Sequence, residues 1–290
     1  MSIAIDSYCM QCYLQRNLDL VRTLGTEERA TEFAKELLKI ILAVPEGDAS
    51  PTMGPAVADL LHEMYGLPID RFKEEKEQSN AFVLERLEDI RCAVRSAPDP
   101  VFAGLQMAIL GNYLDFSALQ GAVSFEKLDE MIQSALQMEL DRDIFARFCK
   151  ELEAGKRLLY LTDNAGEIGF DRVFAEELSK RYPHLEITFC VRGGPAANDA
   201  TRADAAAVGI PFPVIDNGNR VAGTQLSLLS DEARAAMDSA DVILAKGMGN
   251  TETLLGCGYN IYYAFLVKCP RFVHRFQKPM MTPILAAERP

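Results

Sequence analysis

The chain has 290 residues, 49% of them hydrophobic and 25% charged, enough to bury one large α/β domain or a catalytic domain with a helical companion. A net charge of -12 and a pI of about 4.8 lack the basic footprint of a nucleic-acid binder, so no nucleic-acid partner is expected. No apolar run approaches the ~18 to 20 residues of a membrane span, so no membrane partner is expected either.

The first ten residues have neither a basic start nor a long apolar run, which argues against a secretory signal and predicts a cytoplasmic protein. Residues 6–154 then read as helical. In Thr26 to Val44, Phe33, Leu37, Ile40 and Ile41 recur at helical spacing. Glu85 to Val94 and Leu128 to Leu140 repeat the pattern, and Ser124 with Lys127 marks a helix start. Breaks are expected at Pro45–Gly47, Gly66–Pro68, Pro98–Pro100 and Gly121. The seven cysteines are scattered apart from Cys9 and Cys12, and an odd count argues against a disulfide framework.

After Gly155 short apolar runs alternate with helical stretches. The runs are 157–162 (RLLYLT), 186–191 (EITFCV), 212–215 (FPVI), 241–245 (DVILA) and 261–267 (IYYAFLV). Ile168 to Tyr182 and Asp231 to Asp238 are helical between them. This alternation predicts βαβ crossovers and a mainly parallel sheet, which binds ligands beyond the carboxyl ends of its strands. The expected division is a helical domain over 1–154 and an α/β domain over 155–290, with some N-terminal helices packed onto the latter.

Three of those strand ends carry chemistry. The first gives Asp163, Asn164, Gly166 and Glu167; the second gives Arg192, Asn198 and Asp199; the third gives Lys246 and Asn250. Asp163 and Asp199 supply carboxylate oxygens and Asn164 an amide oxygen, an all-oxygen set that suits Mg²⁺ or Mn²⁺. Gly166 allows close backbone approach at a helix start, where N–H groups can hold a phosphate. Lys246 is a cation suited to a transferring phosphoryl group. The plainer reading is that DN-x-G is a turn and that its Asp or Asn caps the next helix.

Together these segments resemble the damage-control phosphatase family, in its smaller, mainly prokaryotic, CxxC-containing branch. The resemblance runs through DNAGE, VRGGP with NDAT, Asp216–Asn217–Gly218 and KGMGN. In the helical half it takes in Cys9-x-x-Cys12, the segment from Asp70 to Asn80, and Gly111–Asn112 with Asp115–Phe116. It ends at Lys268–Cys269–Pro270. It implies a Rossmann-like α/β/α domain beside a helical domain, and a metal held by Asp163, Asn164 and Asp199. It also implies hydrolysis of small phosphorylated metabolites such as sugar phosphates. Mg, Mn, Co and Ni are the candidate metals.

On that reading a metal-bound phosphoryl group is attacked in line by water or a carboxylate. Glu167 is either a base, a partner of the ligands, or a favourable charge in the first helical turn. Asn112 and Asp115, three apart on a helix, face the substrate cleft or form a buried pair. Arg192, Asn198, Gly166 and Asn250 are candidate substrate contacts. Lys73, Lys76 and Asn80 share a helical face that is either solvated or a phosphate contact. Cys9, Cys12 and Cys269 form a second metal site, a redox pair, or inert helix residues, since a lone CxxC is half a zinc site. An aspartyl-phosphate enzyme needs Asp-x-Asp after a strand, and Ala165 occupies that position. The alternatives are a non-catalytic sensor of metal or phosphometabolite, and a carboxyl methyltransferase. The latter normally has a glycine-rich loop where this chain has DNAGE. The oligomeric state is open.

Overall fold

Asp6 and Thr26 each accept a backbone N–H from the turn that follows, which fixes the starts of α1 (Ser7–Arg22) and α2 (Glu27–Leu42). α3 (Gly54–Tyr65) stops at Gly66, whose left-handed backbone (φ +70°) closes the helix at an expected break. These three helices share a core of their own, including Val21, Phe33, Leu37, Ile41 and Leu61. The computed structural model describes residues 3–112, 130, 132 and 134–289. Asp115, the Ser124–Lys127 helix start and residues 128, 129, 131 and 133 lie outside the described residues; of the helix expected over 128–140, the described helical residues end at Ala135.

α4 (Lys73–Glu85) and α5 (Leu87–Arg95) divide at Arg86, so the helix expected from Glu85 to Val94 starts two residues later. α6 (Pro100–Gly111) is capped by Asp99 and buried from Val101 to its end. It is apolar all round because it is covered on both sides. Leu105, Ala108 and Ile109 face the sheet, whereas Ala103, Met107 and Leu110 join Val83, Ile90 and Val94 of α4 and α5. α7 (Arg142–Ala154) starts at Asp141, whose carboxylate accepts from the N–H groups of Asp143 and Ile144, both at 3.0 Å. Asp141→Ala should therefore cost about 1 kcal/mol. An unchanged urea midpoint would contradict that.

From here strand and helix alternate: β1 (Arg157–Leu161), α8 (Glu167–Arg181), β2 (Glu186–Val191), α9 (Arg202–Ala207), β3 (Val214–Asp216), α10 (Asp231–Ser239), β4 (Val242–Lys246), α11 (Gly247–Leu254), β5 (Ile261–Leu266), α12 (Pro270–Phe276) and β6 (Pro283–Ala287). The third strand begins at Val214 rather than Phe212. The sheet order is β3-β2-β1-β4-β5-β6; the first five strands are parallel and β6 runs antiparallel to β5. Period-two alternation sends Leu158 and Tyr160 of β1 into one core with α6, α7 and α8, and Leu159 and Leu161 into the other with α10, α11 and α12. The result is a Rossmann-like α/β/α sandwich. Its strand order reverses between β1 and β4, and the carboxyl ends of those two strands open the ligand crevice. Among the described residues no helix is long and apolar enough to cross a membrane.

Candidate metal centre

Beyond their strand pairing, the segments after β1 and β2 stay tied by main-chain hydrogen bonds. Ala200 N–H donates to the Asp163 carbonyl (2.7 Å) and Ala165 N–H to the Asn198 carbonyl (2.9 Å). Asn164 and Asp199 face each other in an isolated antiparallel bridge. Three oxygen-bearing side chains, 36 positions apart at their extremes (163 to 199), are thus held side by side by backbone. Ala197 adopts φ +48°, a left-handed conformation that costs a residue with a Cβ about 1 kcal/mol or more. Such strain is concentrated at functional sites.

The carboxylates are then held from behind. Asp163 Oδ2 accepts from Asn112 Nδ2 and Asn164 Nδ2, each at 2.8 Å. The same two amides donate to Glu167 Oε2 at 2.8 and 2.9 Å. A carboxylate only accepts, so Asn164 turns its NH₂ to the acids and keeps its carbonyl Oδ1 for a cation. Lys246 Nζ donates to Glu167 Oε1 (2.7 Å), Asp171 Oδ1 (2.6 Å) and the Ala108 carbonyl (2.7 Å). Tyr160, stacked on Phe189 within the sheet core, donates its hydroxyl to Asp171. Arg192 donates to Asp199 Oδ2 (2.6 Å) and the Thr162 carbonyl (3.1 Å).

Charge balance bears on what is missing. The buried cluster holds four carboxylates (Asp163, Glu167, Asp171 and Asp199) against two buried cations, Lys246 and Arg192. Among these buried groups acids outnumber cations by two, and Lys268 is a further cation acting on Asp163 from the cleft wall. Burial, then the charges of Glu167 and Asp199, push the Asp163 carboxyl well above the usual range, while Arg192 and Lys268 oppose the rise. A cation bound at Asp163 would pull it back. Among the described residues no three His, Cys, Asp or Glu side chains are grouped to hold a metal on their own. Two carboxylates and an amide would make an all-oxygen donor set, the kind that suits Mg²⁺ or Mn²⁺ better than zinc.

Gly247 opens α11 at the end of β4. Its φ is +79°, and a Cβ there would lie 2.1 Å from the Asp163 carboxylate carbon. The Asp163 head group rests directly on this backbone, and no other residue type leaves the room.

A cleft of about 690 Å³ covers the site. Asn112, Asp163, Asn164, Asn198 and Asp199 all line it. Glu167, Arg192, Lys246 and Asn250 are fully buried behind it rather than in its wall. Lys246, expected to face a phosphoryl group, instead faces two carboxylates. Asn250 ties strand ends together, donating to the carbonyls of Thr162 (3.0 Å) and Lys246 (2.7 Å) and accepting from the Thr224 hydroxyl (2.8 Å). Gly166 N–H, offered above to a phosphate, is bonded to Asn80 Oδ1 at 2.8 Å. Asn80 and the buried Lys76 both engage Asp204, while Lys73 stays exposed.

Glu252, Lys268 and Arg271, all absent from the expected set, also line the cleft. Lys268 follows β5, a fourth parallel strand end, and that position is the signal that could have found it. Cys9, Cys12 and Cys269 line the same cleft as free thiols. Cys9 accepts from Arg271 Nη1 at 3.0 Å, and burial pushes its thiol up to about 11. Burial raises Cys269 as well.

Comparison with known proteins bears on the same arrangement. The Damage-control phosphatase ARMT1-like domain matches residues 5–282. An uncharacterised protein of Methanocaldococcus jannaschii is 33% identical over 282 residues, 92% of this chain and 90% of its own. A damage-control phosphatase of Archaeoglobus fulgidus is 31% identical over 258 residues, 86% of this chain and 87% of its own. A crystal structure of a DUF89 family protein from Pyrococcus horikoshii superposes with a TM-score of 0.84 at 26% identity, covering 99% of both chains.

Proposed function

Since the chain belongs to the damage-control phosphatase ARMT1-like family, we propose that it hydrolyses small phosphate monoesters, with a divalent cation held by Asp163, Asn164 and Asp199. The observation that carries this reading is a buried, backbone-tied set of oxygen donors at the strand-order reversal, in a cluster where four carboxylates meet two buried cations. When bound, the cation would polarise a phosphoryl oxygen and lower the cost of in-line attack.

The chain's own groups divide the remaining work. Asn112 holds Asp163 and Glu167 together and keeps Asp163 aimed. Glu167, fully buried with both oxygens occupied, orients the Asn164 amide and is not placed to move a substrate proton. Arg192 steadies Asp199. Lys268, whose charge acts on Asp163 from the cleft wall, is the group we assign to the incoming phosphate in place of Lys246. A sensor would need the same donor set, so turnover decides between the two.

The deciding experiment measures phosphate release from a panel of sugar and alkyl phosphates. Exhaustive chelation should abolish it, and Mg²⁺, Mn²⁺, Co²⁺ or Ni²⁺ should restore it. Full activity after chelation would overturn the metal reading. Metal binding without release from any ester would favour the sensor.

A further inference from the structure

The cleft over the metal centre does not end at Cys12. A second cavity of about 470 Å³ adjoins it. The two share Cys12, Tyr13, Arg16, Ala197 and Ala222 in their walls. Arg16 comes from α1, Arg71 from the segment before α4, and Arg220 from the loop after β3. Three separate parts of the chain thus deliver guanidinium groups to one space.

Their charges are poorly matched within the protein. Glu75 is the one carboxylate in the described lining. Arg220 is held by Asp59 in a two-point pair, 3.0 and 2.9 Å. Arg16 and Arg71 have no carboxylate within 4.0 Å among the described residues. Arg71 lies over the Phe72 ring, 4.8 Å from its centroid, which fixes the guanidinium beside the cavity. Arg16 and Arg71 both keep solvent-exposed surface at the cavity; partial desolvation and then the like charge of Arg16 lower the Arg71 pKa, and the charge of Glu75 opposes the shift. Two mutually repelling forks, in a chain of net charge -12, are relieved by an anion that accepts from both.

We propose that Arg16 and Arg71 form a second anion subsite, so that the preferred substrates are phosphate monoesters with another oxyanion, a carboxylate or second phosphate, at the far end. This rests on the phosphatase reading for the end of the substrate at Asp163. The shared wall at Arg16 lets one molecule reach both ends.

The test compares butyl phosphate with 4-phosphonooxybutanoate and butane-1,4-diol bisphosphate, extended to two- to six-carbon chains. The native protein should favour at least one doubly anionic ester by about tenfold or more in kcat/KM, roughly the 1.4 kcal/mol of a charged hydrogen bond. The carboxylate and bisphosphate arms tell which anion is taken. In Arg16→Gln and Arg71→Gln that preference ratio should fall towards one, with partial recovery in Arg71→Lys. A ratio unchanged in both variants, or no preference in the native protein, overturns the subsite. A binding measurement with butane-1,4-bisphosphonate separates the two readings. If no ester is turned over but Arg71→Gln still weakens this probe tenfold, the phosphatase reading fails and the subsite stands. Equal binding by native and variant proteins overturns the subsite whatever the turnover.

Discussion

Gly247→Ala is expected to lower metal-dependent phosphate release at least ~100-fold, as far as deleting the Asp163 carboxylate would, although Gly247 offers a substrate no side chain. Two effects combine. The backbone at φ +79° costs a residue with a Cβ about 1 kcal/mol. The new methyl would lie 2.1 Å from the Asp163 carboxylate, inside any contact distance. Asp163 is buried, with its Oδ2 held by two amides, so relief means moving the proposed metal ligand itself. Overpacking of this kind costs a further ~1–3 kcal/mol of stability. Gly258→Ala is the control: its φ is +86°, yet nothing lies within 4 Å of the added carbon. It should carry the backbone cost alone and keep activity. Equal activity in the two variants would refute the packing argument.

Lys246→Met should destabilise the fold by about 3–5 kcal/mol, the scale of leaving buried charge without its partner. Lys246, Glu167 and Asp171 are all fully buried, so solvent does not soften the loss. The effect should also depend on pH. Burial pushes the Asp171 carboxyl up to about 6 even with Lys246 opposing the rise, and removing the lysine raises it further. A carboxyl raised by folding favours the folded state while it is protonated, and that contribution is lost as pH rises through the folded value. The penalty should therefore be largest near pH 8 and shrink near pH 5. Urea unfolding of both proteins at the two pH values measures it. A loss below ~1 kcal/mol, or one the same at both, would contradict the charge argument.

What the sequence disclosed follows from how locally each feature is encoded. The parallel strands were legible because β-branched and aromatic runs such as EITFCV and IYYAFLV stand between helical stretches. β6 was not, since PILAA has neither alternation nor a helix behind it and pairs only through its antiparallel contact with β5. Asp163, Asn164 and Asp199 sit on strand-end loops, so their convergence could be expected from topology, though the backbone bridge that joins them could not. The direction of Lys246 was available from parity: Val242 and Leu244 of β4 face the core shared with α6 and α8, and Lys246 is two further on. Glu167 and Asp171, four apart on α8, stand on the face that meets it. Arg16, Arg71 and Arg220 were not legible as a group, because nothing in a sequence brings α1, the start of α4 and the loop after β3 together.

The ladder between Asp163–Ala165 and Asn198–Ala200 is made by main-chain atoms. The spacing of the two carboxylates thus owes little to the side chains of Pro195, Ala196 and Ala197 between the strands. Those residues form part of the far cavity's wall. On the proposed roles, the reacting end and the substrate-selecting end would rest on separate parts of the chain. Exchanging residues at that wall would then alter which molecules fit while the main-chain ladder keeps the spacing of Asp163 and Asp199.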